Sequence, residues 1–131
     1  MFSDLSSTIT EGVRVEVRTA WIKEQSNPDL DHYVFAYKVR ITNESAFQVQ
    51  LMRRRWLITD GLGIKREVQG DGVIGQQPVL QPGEQHEYIS GCHFDTPVGK
   101  MRGFYYMERL DGSLVKVRIP EFVMVVPHYL N

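Results

Sequence analysis

Apolar and polar residues alternate with a period of two along most of this chain. Val13, Val15, Val17, Thr19 and Trp21 fall on one parity and Arg14, Glu16, Arg18 and Ala20 on the other, which predicts a strand over 13–21 with one face inward. The alternation returns from His32 to Thr42, where Tyr33, Phe35, Tyr37, Val39 and Ile41 share a face. Their aromatic and β-branched side chains predict a second, central strand. Between the two, Gln25-Ser26-Asn27-Pro28-Asp29 has the residues of a turn or loop.

After the turn residues Asn43-Glu44-Ser45 a third strand begins, with Phe47, Val49 and Leu51 on one face. Trp56 and Ile58 then fall on the opposite parity, with Arg53-Arg54-Arg55 between the two halves. A β-bulge or a change of sheet near the arginines reconciles them, because a one-residue slip turns every later side chain over. Asp60-Gly61-Leu62-Gly63 reads as a tight turn into a short strand, Ile64 to Val68. Residues 69–84 keep no period and hold Gly70, Gly72, Gly75, Pro78, Pro82 and Gly83, so they are expected to form a long loop.

Two further strands are predicted over Glu84 to Phe94 and Lys100 to Arg109, and a last one starts at Leu114. Pro120 interrupts the last strand before Phe122 to Val126 completes it, which suits a sheet edge where a missing N–H is tolerated. No long window carries a helical stripe. The pattern is therefore all-β, an antiparallel β-sandwich of about seven strands.

The length of 131 residues suits a single domain over 1–131, and 42% hydrophobic with 24% charged residues is the composition of a folded chain. A net charge of -1 supplies no global positive field, so no nucleic-acid partner is expected. Cys92 is the only cysteine, which excludes an intrachain disulfide and multi-cysteine zinc sites and favours a reducing compartment. Met1-Phe2-Ser3-Asp4-Leu5-Ser6 lacks the basic and apolar regions of a secretory signal. Phe122 to Val126 falls far short of the about 20 apolar residues that span a bilayer. A soluble, cytoplasmic protein without a membrane partner is the expectation.

Gly70-Asp71-Gly72-Val73-Ile74-Gly75 matches G-x-G-x-x-G, which in dinucleotide-binding proteins brings a helix N-terminus against a pyrophosphate. Here Pro78 and Pro82 follow too closely for a regular helix, and no βαβ unit surrounds the motif, so that reading fails. Two readings of Gly70, Gly72 and Gly75 remain: backbone amides that cradle an anion, or glycines that simply turn a loop, the second being favoured. Arg53, Arg54 and Arg55, with Arg40, Lys65 and Arg66 as candidate neighbours, suggest a basic patch. On a strand, however, Arg54 points away from the other two.

His32, His86, His93 and His128 show no paired metal spacing, and the neighbours Cys92 and His93 point to opposite faces, so neither a metal site nor a nucleophile–base pair is expected. No carboxylate pair or G-x-S-x-G elbow is present. Tyr33, Tyr37, Phe104, Tyr105 and Tyr106 could line a groove, but alternation separates Tyr105 from its two neighbours and core packing is favoured for at least one face.

The run from Gly70 through Pro82-Gly83-Glu84, then Tyr88-Ile89-Ser90-Gly91, then Thr96-Pro97-Val98-Gly99-Lys100-Met101-Arg102-Gly103-Phe104-Tyr105-Tyr106-Met107, resembles the bacterial ApaG family. The likeness extends from the Val13 strand to Ile119-Pro120-Glu121-Phe122. It implies a fibronectin type III-like (immunoglobulin-like) sandwich with the glycine motif on a loop between strands. Related domains in eukaryotic F-box and polymerase-interacting proteins imply protein–protein interaction. The family's name and genetic neighbourhood imply an indirect link to cobalt and magnesium homeostasis. The expectation is a non-catalytic module with an unidentified protein partner, no cofactor and no metal. The alternative is a pyrophosphate or nucleotide-phosphate binder acting through Gly70, Gly72 and Gly75.

Overall fold

The computed structural model describes residues 2–127, and His128 lies outside them. The chain runs through β1 (Ser6–Thr10), β2 (Val13–Trp21), β3 (Tyr33–Asn43), β4 (Val49–Asp60), β5 (Lys65–Asp71), β6 (Val79–Leu80), β7 (Gln85–Phe94), β8 (Val98–Arg109) and β9 (Leu114–Val125). Two short 3-10 turns, Lys23–Gln25 and Pro28–Leu30, lie between β2 and β3. All strand pairs are antiparallel, and they form two sheets: β1-β2-β3-β7, and β5-β4-β8-β9 with β6 attached to β4.

The expected β-sandwich is what forms, with two strands beyond the expected set. β1, Ser-Ser-Thr-Ile-Thr, offers one apolar side chain to an alternation test, and that residue, Ile9, is 47% exposed. β6 is two residues long and pairs Val49 with Leu80 inside the expected loop. β5 also runs further than expected, to Asp71, because it follows β4 as far as Arg53.

The parity break in the third strand is a bulge. The register of β4 on β8 shifts between Leu51 and Arg53, leaving Met52 without a partner. Val49 and Leu51 before it, and Trp56 and Ile58 after it, are therefore all buried. Phe47, expected on that inner face, instead precedes the strand and is 57% exposed under the Arg109 guanidinium. The carbonyl that Met52 withholds from β8 accepts from the Gly72 N–H at 2.9 Å and the Gln77 amide at 3.0 Å. The bulge thus anchors the glycine loop. A second register shift, between Met101 and Gly103, lets Pro120 sit within the edge strand β9, as expected.

The inner faces of both sheets form one core. Val13, Val15 and Val17 of β2, Phe35, Val39 and Ile41 of β3, Tyr105 and Met107 of β8, and Val117, Ile119 and Met124 of β9 are essentially inaccessible. Full burial of such a side chain stabilises by about 1.5–3 kcal/mol. Tyr37, Trp56 and Phe122 meet in edge-to-face and tilted pairs at 5.3, 5.8 and 5.9 Å between ring centres. Asn43, fully buried, donates to the Phe47 and Leu80 carbonyls at 2.8 and 2.9 Å and accepts from Ser45, so no part of its amide lacks a partner.

The two long sides of the sandwich differ. On one, β1 and β2 pack on β9, and the Arg118 N–H donates to Thr10 Oγ1 at 3.1 Å. On the other, the edges β5 and β7 stand apart with a cleft of about 460 Å³ between them.

Candidate functional site

The cleft is built by the inner residues of five strands, with Met101 of β8 beneath the other four. β3 supplies Tyr37, β4 supplies Arg54 and Trp56, β5 supplies Arg66 and Val68, and β7 supplies Tyr88, Ser90 and Cys92. Its floor is aromatic and its two ends are cationic.

Arg54 follows from the bulge. Beyond Met52 the even-numbered residues of β4 face inward, so Arg54 shares its face with Trp56 and Ile58, while Arg53 and Arg55 point outward. Arg53 lies over the Tyr106 ring at 4.8 Å, and Arg55 binds Glu67 at 2.5 Å. Arg54 Nη1 donates to the carbonyls of Asp71 and Gly72, both at 3.0 Å. The three arginines therefore make no single patch. Arg40, offered as a neighbour, is on the other sheet and pairs with Glu87 at 3.0 Å. Lys65 alternates with Arg66 onto the outer face.

Arg66 sits at the other end, opposite Ile58. Its Nη2 donates to the His93 carbonyl at 2.6 Å and approaches Cys92 Sγ at 3.4 Å, so this one side chain bridges the two sheet edges. Among the described residues neither Arg54 nor Arg66 forms an ion pair with a carboxylate. Two guanidinium charges at one cleft are held by neutral groups, carbonyl oxygens and the Cys92 sulfur.

The hydroxyls between them are protonated. Tyr105 is fully buried and its OH pairs in a short hydrogen bond with that of Tyr88. Burial pushes both phenols well above their ordinary range. Burial raises Tyr37 as well, opposed by the Ser90 hydroxyl. The Cys92 thiol is likewise raised by burial, with Arg66 pulling the other way. These groups can donate hydrogen bonds but are not poised as bases or nucleophiles at neutral pH.

The glycine motif closes the Arg54 end. Gly70 ends the inner row of β5, and a β-carbon there would lie 2.7 Å from Arg54 Nη1, so the missing side chain makes room for the guanidinium. Gly72, at φ +60°, would place a β-carbon 2.1 Å from the Gln76 carbonyl oxygen. Val73 and Gln76 then pair across a two-residue turn in which Ile74 and Gly75 both have positive φ, 47° and 71°. No helix follows, in line with the two prolines. Gly70 and Gly72 thus have steric roles, while the Ile74 and Gly75 N–H groups at the turn tip donate to no protein group among the described residues.

The remaining candidates are scattered. His32 and His93 approach at 5.6 Å between ring centres, His86 lies beside Tyr88, and His128 falls outside the described residues. No group of three or more potential metal ligands occurs among the described residues. Phe104 and Tyr106 point to the outer face, Phe104 under Lys116 Nζ at 4.1 Å, whereas Tyr105 is core. Arg54 and Arg66 were legible only in part. The parity that puts Trp56 inward carries Arg54 with it, but no sequence signal sets β5 against β7.

Comparison with known proteins agrees with this architecture. The family model of the ApaG domain matches residues 23–109. The chain is 47% identical over 119 residues to Protein ApaG of Vibrio vulnificus strain YJ016, covering 91% of this chain and 94% of the relative. It is 47% identical over 127 residues to Protein ApaG of Anaeromyxobacter dehalogenans, covering 97% and 100%. A crystal structure described as the putative ApaA protein of Bordetella pertussis superposes with a TM-score of 0.85 at 45% identity, over 93% of this chain and 96% of that one. With a domain match over most of the chain and near-full-length relatives at this identity, the chain belongs to the ApaG family.

Proposed function

We propose that this chain is a non-catalytic binding module that takes up a segment of a protein partner in the cleft between β5 and β7. The observation that carries this reading is the asymmetry of the sandwich. One long side is closed by β1 and β9, while the other leaves two sheet edges unpaired among the described residues, beside an aromatic-floored cleft. Unpaired edges offer backbone N–H and C=O groups to an extended chain. The protonated state of Tyr37, Tyr88, Tyr105 and Cys92 supports binding over acid–base or nucleophilic chemistry. The strand order, β2-β3-β7 against β5-β4-β8-β9, supports the fibronectin type III-like comparison. We place the module in the cytoplasm, where a lone thiol stays reduced. An indirect link to cobalt or magnesium homeostasis rests on the family resemblance alone.

The reading is tested by affinity capture with the tagged protein and with Ser90→Trp, which fills the cleft. A partner held by the wild type and by the outer-face variant Arg118→Ala, but lost with Ser90→Trp, supports it. A partner retained by Ser90→Trp, or no specific partner under several growth conditions, counts against it.

A second reading, phosphate or pyrophosphate bound at Gly70, Gly72 and Gly75, is favoured by the free Ile74 and Gly75 amides near Arg54. Titration with pyrophosphate or ATP while following amide shifts decides it. Unchanged signals from residues 70–75 rule it out.

A further inference from the structure

Resting on the cleft reading above, we infer that the partner segment is acidic: an extended strand that pairs with the free edge of β7 and presents carboxylates to Arg54 and Arg66. Among the described residues, the six ion pairs place carboxylates against Arg14, Lys38, Arg40, Arg55, Lys100 and Arg109. Arg54 and Arg66 are left out, although they are the two cations facing the cleft. The acids of β5 do not answer them. Glu67 pairs from the outer face with Arg55, and Asp71, which also lines the cleft, meets Arg54 through its carbonyl and forms no ion pair with it.

A guanidinium held by neutral groups keeps its full charge, so a carboxylate adds a Coulombic attraction and a bidentate geometry that a carbonyl does not offer. The aromatic floor lowers the local dielectric and sharpens the preference. The edge amides and carbonyls of β7 before His93, whose carbonyl already accepts from Arg66, would supply main-chain pairing, as in strand addition to other sheets.

The geometry also sets a spacing. Arg54's head group lies against Gly70, and Arg66 is four residues along the same strand. At about 3.3 Å per residue the Gly70 and Arg66 backbones, from which the two ends are approached, are about 13 Å apart. In an extended segment, residues i and i+4 share a face and span that distance. The cleft therefore selects two acidic side chains at i and i+4, with an apolar residue at i+2 over Trp56 and Val68.

The test titrates the isotope-labelled full chain with the capped peptide Thr-Val-Thr-Glu-Thr-Val-Thr-Glu-Thr and with its counterpart carrying Gln for both Glu. The expected result is amide shifts along β7 from His86 to His93, with the Glu peptide binding about tenfold more tightly at low salt. The advantage should shrink as salt rises. Arg66→Gln, a change on an exposed strand that leaves the core intact, should narrow the difference between the Glu and Gln peptides. Equal binding of the two peptides would overturn the acidic preference while leaving the cleft reading in place. No shifts in β7 at millimolar peptide would overturn the inference outright, and the capture experiment would then judge the cleft reading separately.

Discussion

The guanidinium of Arg54 occupies the space that a side chain at Gly70 would fill, with Nη1 only 2.7 Å from where its β-carbon would stand. The obstacle there is the end of a flexible side chain. At Gly72 it is the backbone oxygen of Gln76, at 2.1 Å, with φ already at +60°. The first glycine therefore positions a charge, and the second permits a fold of the chain.

Alanine substitutions should separate those roles. Gly72→Ala is expected to destabilise by about 2 kcal/mol or more, since backbone must move and a left-handed φ is strained. Gly70→Ala should cost about 1 kcal/mol or less, because Arg54 can swing away, yet it should weaken cleft binding as strongly as removing the arginine. Denaturant midpoints and the peptide titration measure the two effects.

Ile74 points to a trade between stability and binding. A β-branched residue at φ 47° is strained, and this one is 60% exposed at the rim of the cleft. The turn it shares with Gly75 is of the kind that Asn-Gly favours. Ile74→Asn should raise stability by about 0.5–1 kcal/mol. If Ile74 covers a bound segment, the same change should weaken binding. Thermal unfolding alongside peptide affinity reads both.

The paired hydroxyls of Tyr88 and Tyr105 lend themselves to a double-mutant cycle. Tyr88→Phe leaves the fully buried Tyr105 hydroxyl without its partner and should cost about 1–3 kcal/mol. Removing both hydroxyls should cost less than that single change. Chemical denaturation of the two single variants and the double variant provides the cycle.

Alkaline pH should find the same groups. Tyr37, Tyr88 and Tyr105 have folded pKa values raised above 10.0 by burial. The unfolded chain therefore releases these protons first. Stability should be unaffected by them below pH 10 and fall above it, by about 1.4 kcal/mol per pH unit for each tyrosine still protonated in the fold. The Tyr88→Phe/Tyr105→Phe variant should show a shallower decline, measured as unfolding free energy between pH 9 and 12.

How far the sequence announced this architecture varied with burial. β2 and β3 were legible because Val13 to Trp21 and Tyr33 to Ile41 alternate between a core and water. The bulge was legible because Leu51 and Trp56 cannot both face inward without one. β1 was not, since an edge strand with a single, half-exposed isoleucine carries no period. The site was legible only in pieces. Its glycine motif was visible, but what the glycines accommodate is an arginine from a different strand, and the cleft depends on β5 and β7 facing each other from separate sheets. Non-local juxtaposition of that kind leaves no periodicity to read.

The proposed function puts the partner on the open side between β5 and β7. Photo-crosslinking in living cells tests it most directly, with the crosslinker placed in turn at Val68, at Ser90 and at the outer-face positions Arg18 and Arg118. Discrete crosslinked species are expected from Val68 and Ser90 and not from the outer-face positions. Crosslinks that arise from the outer faces while both cleft positions stay silent would contradict it.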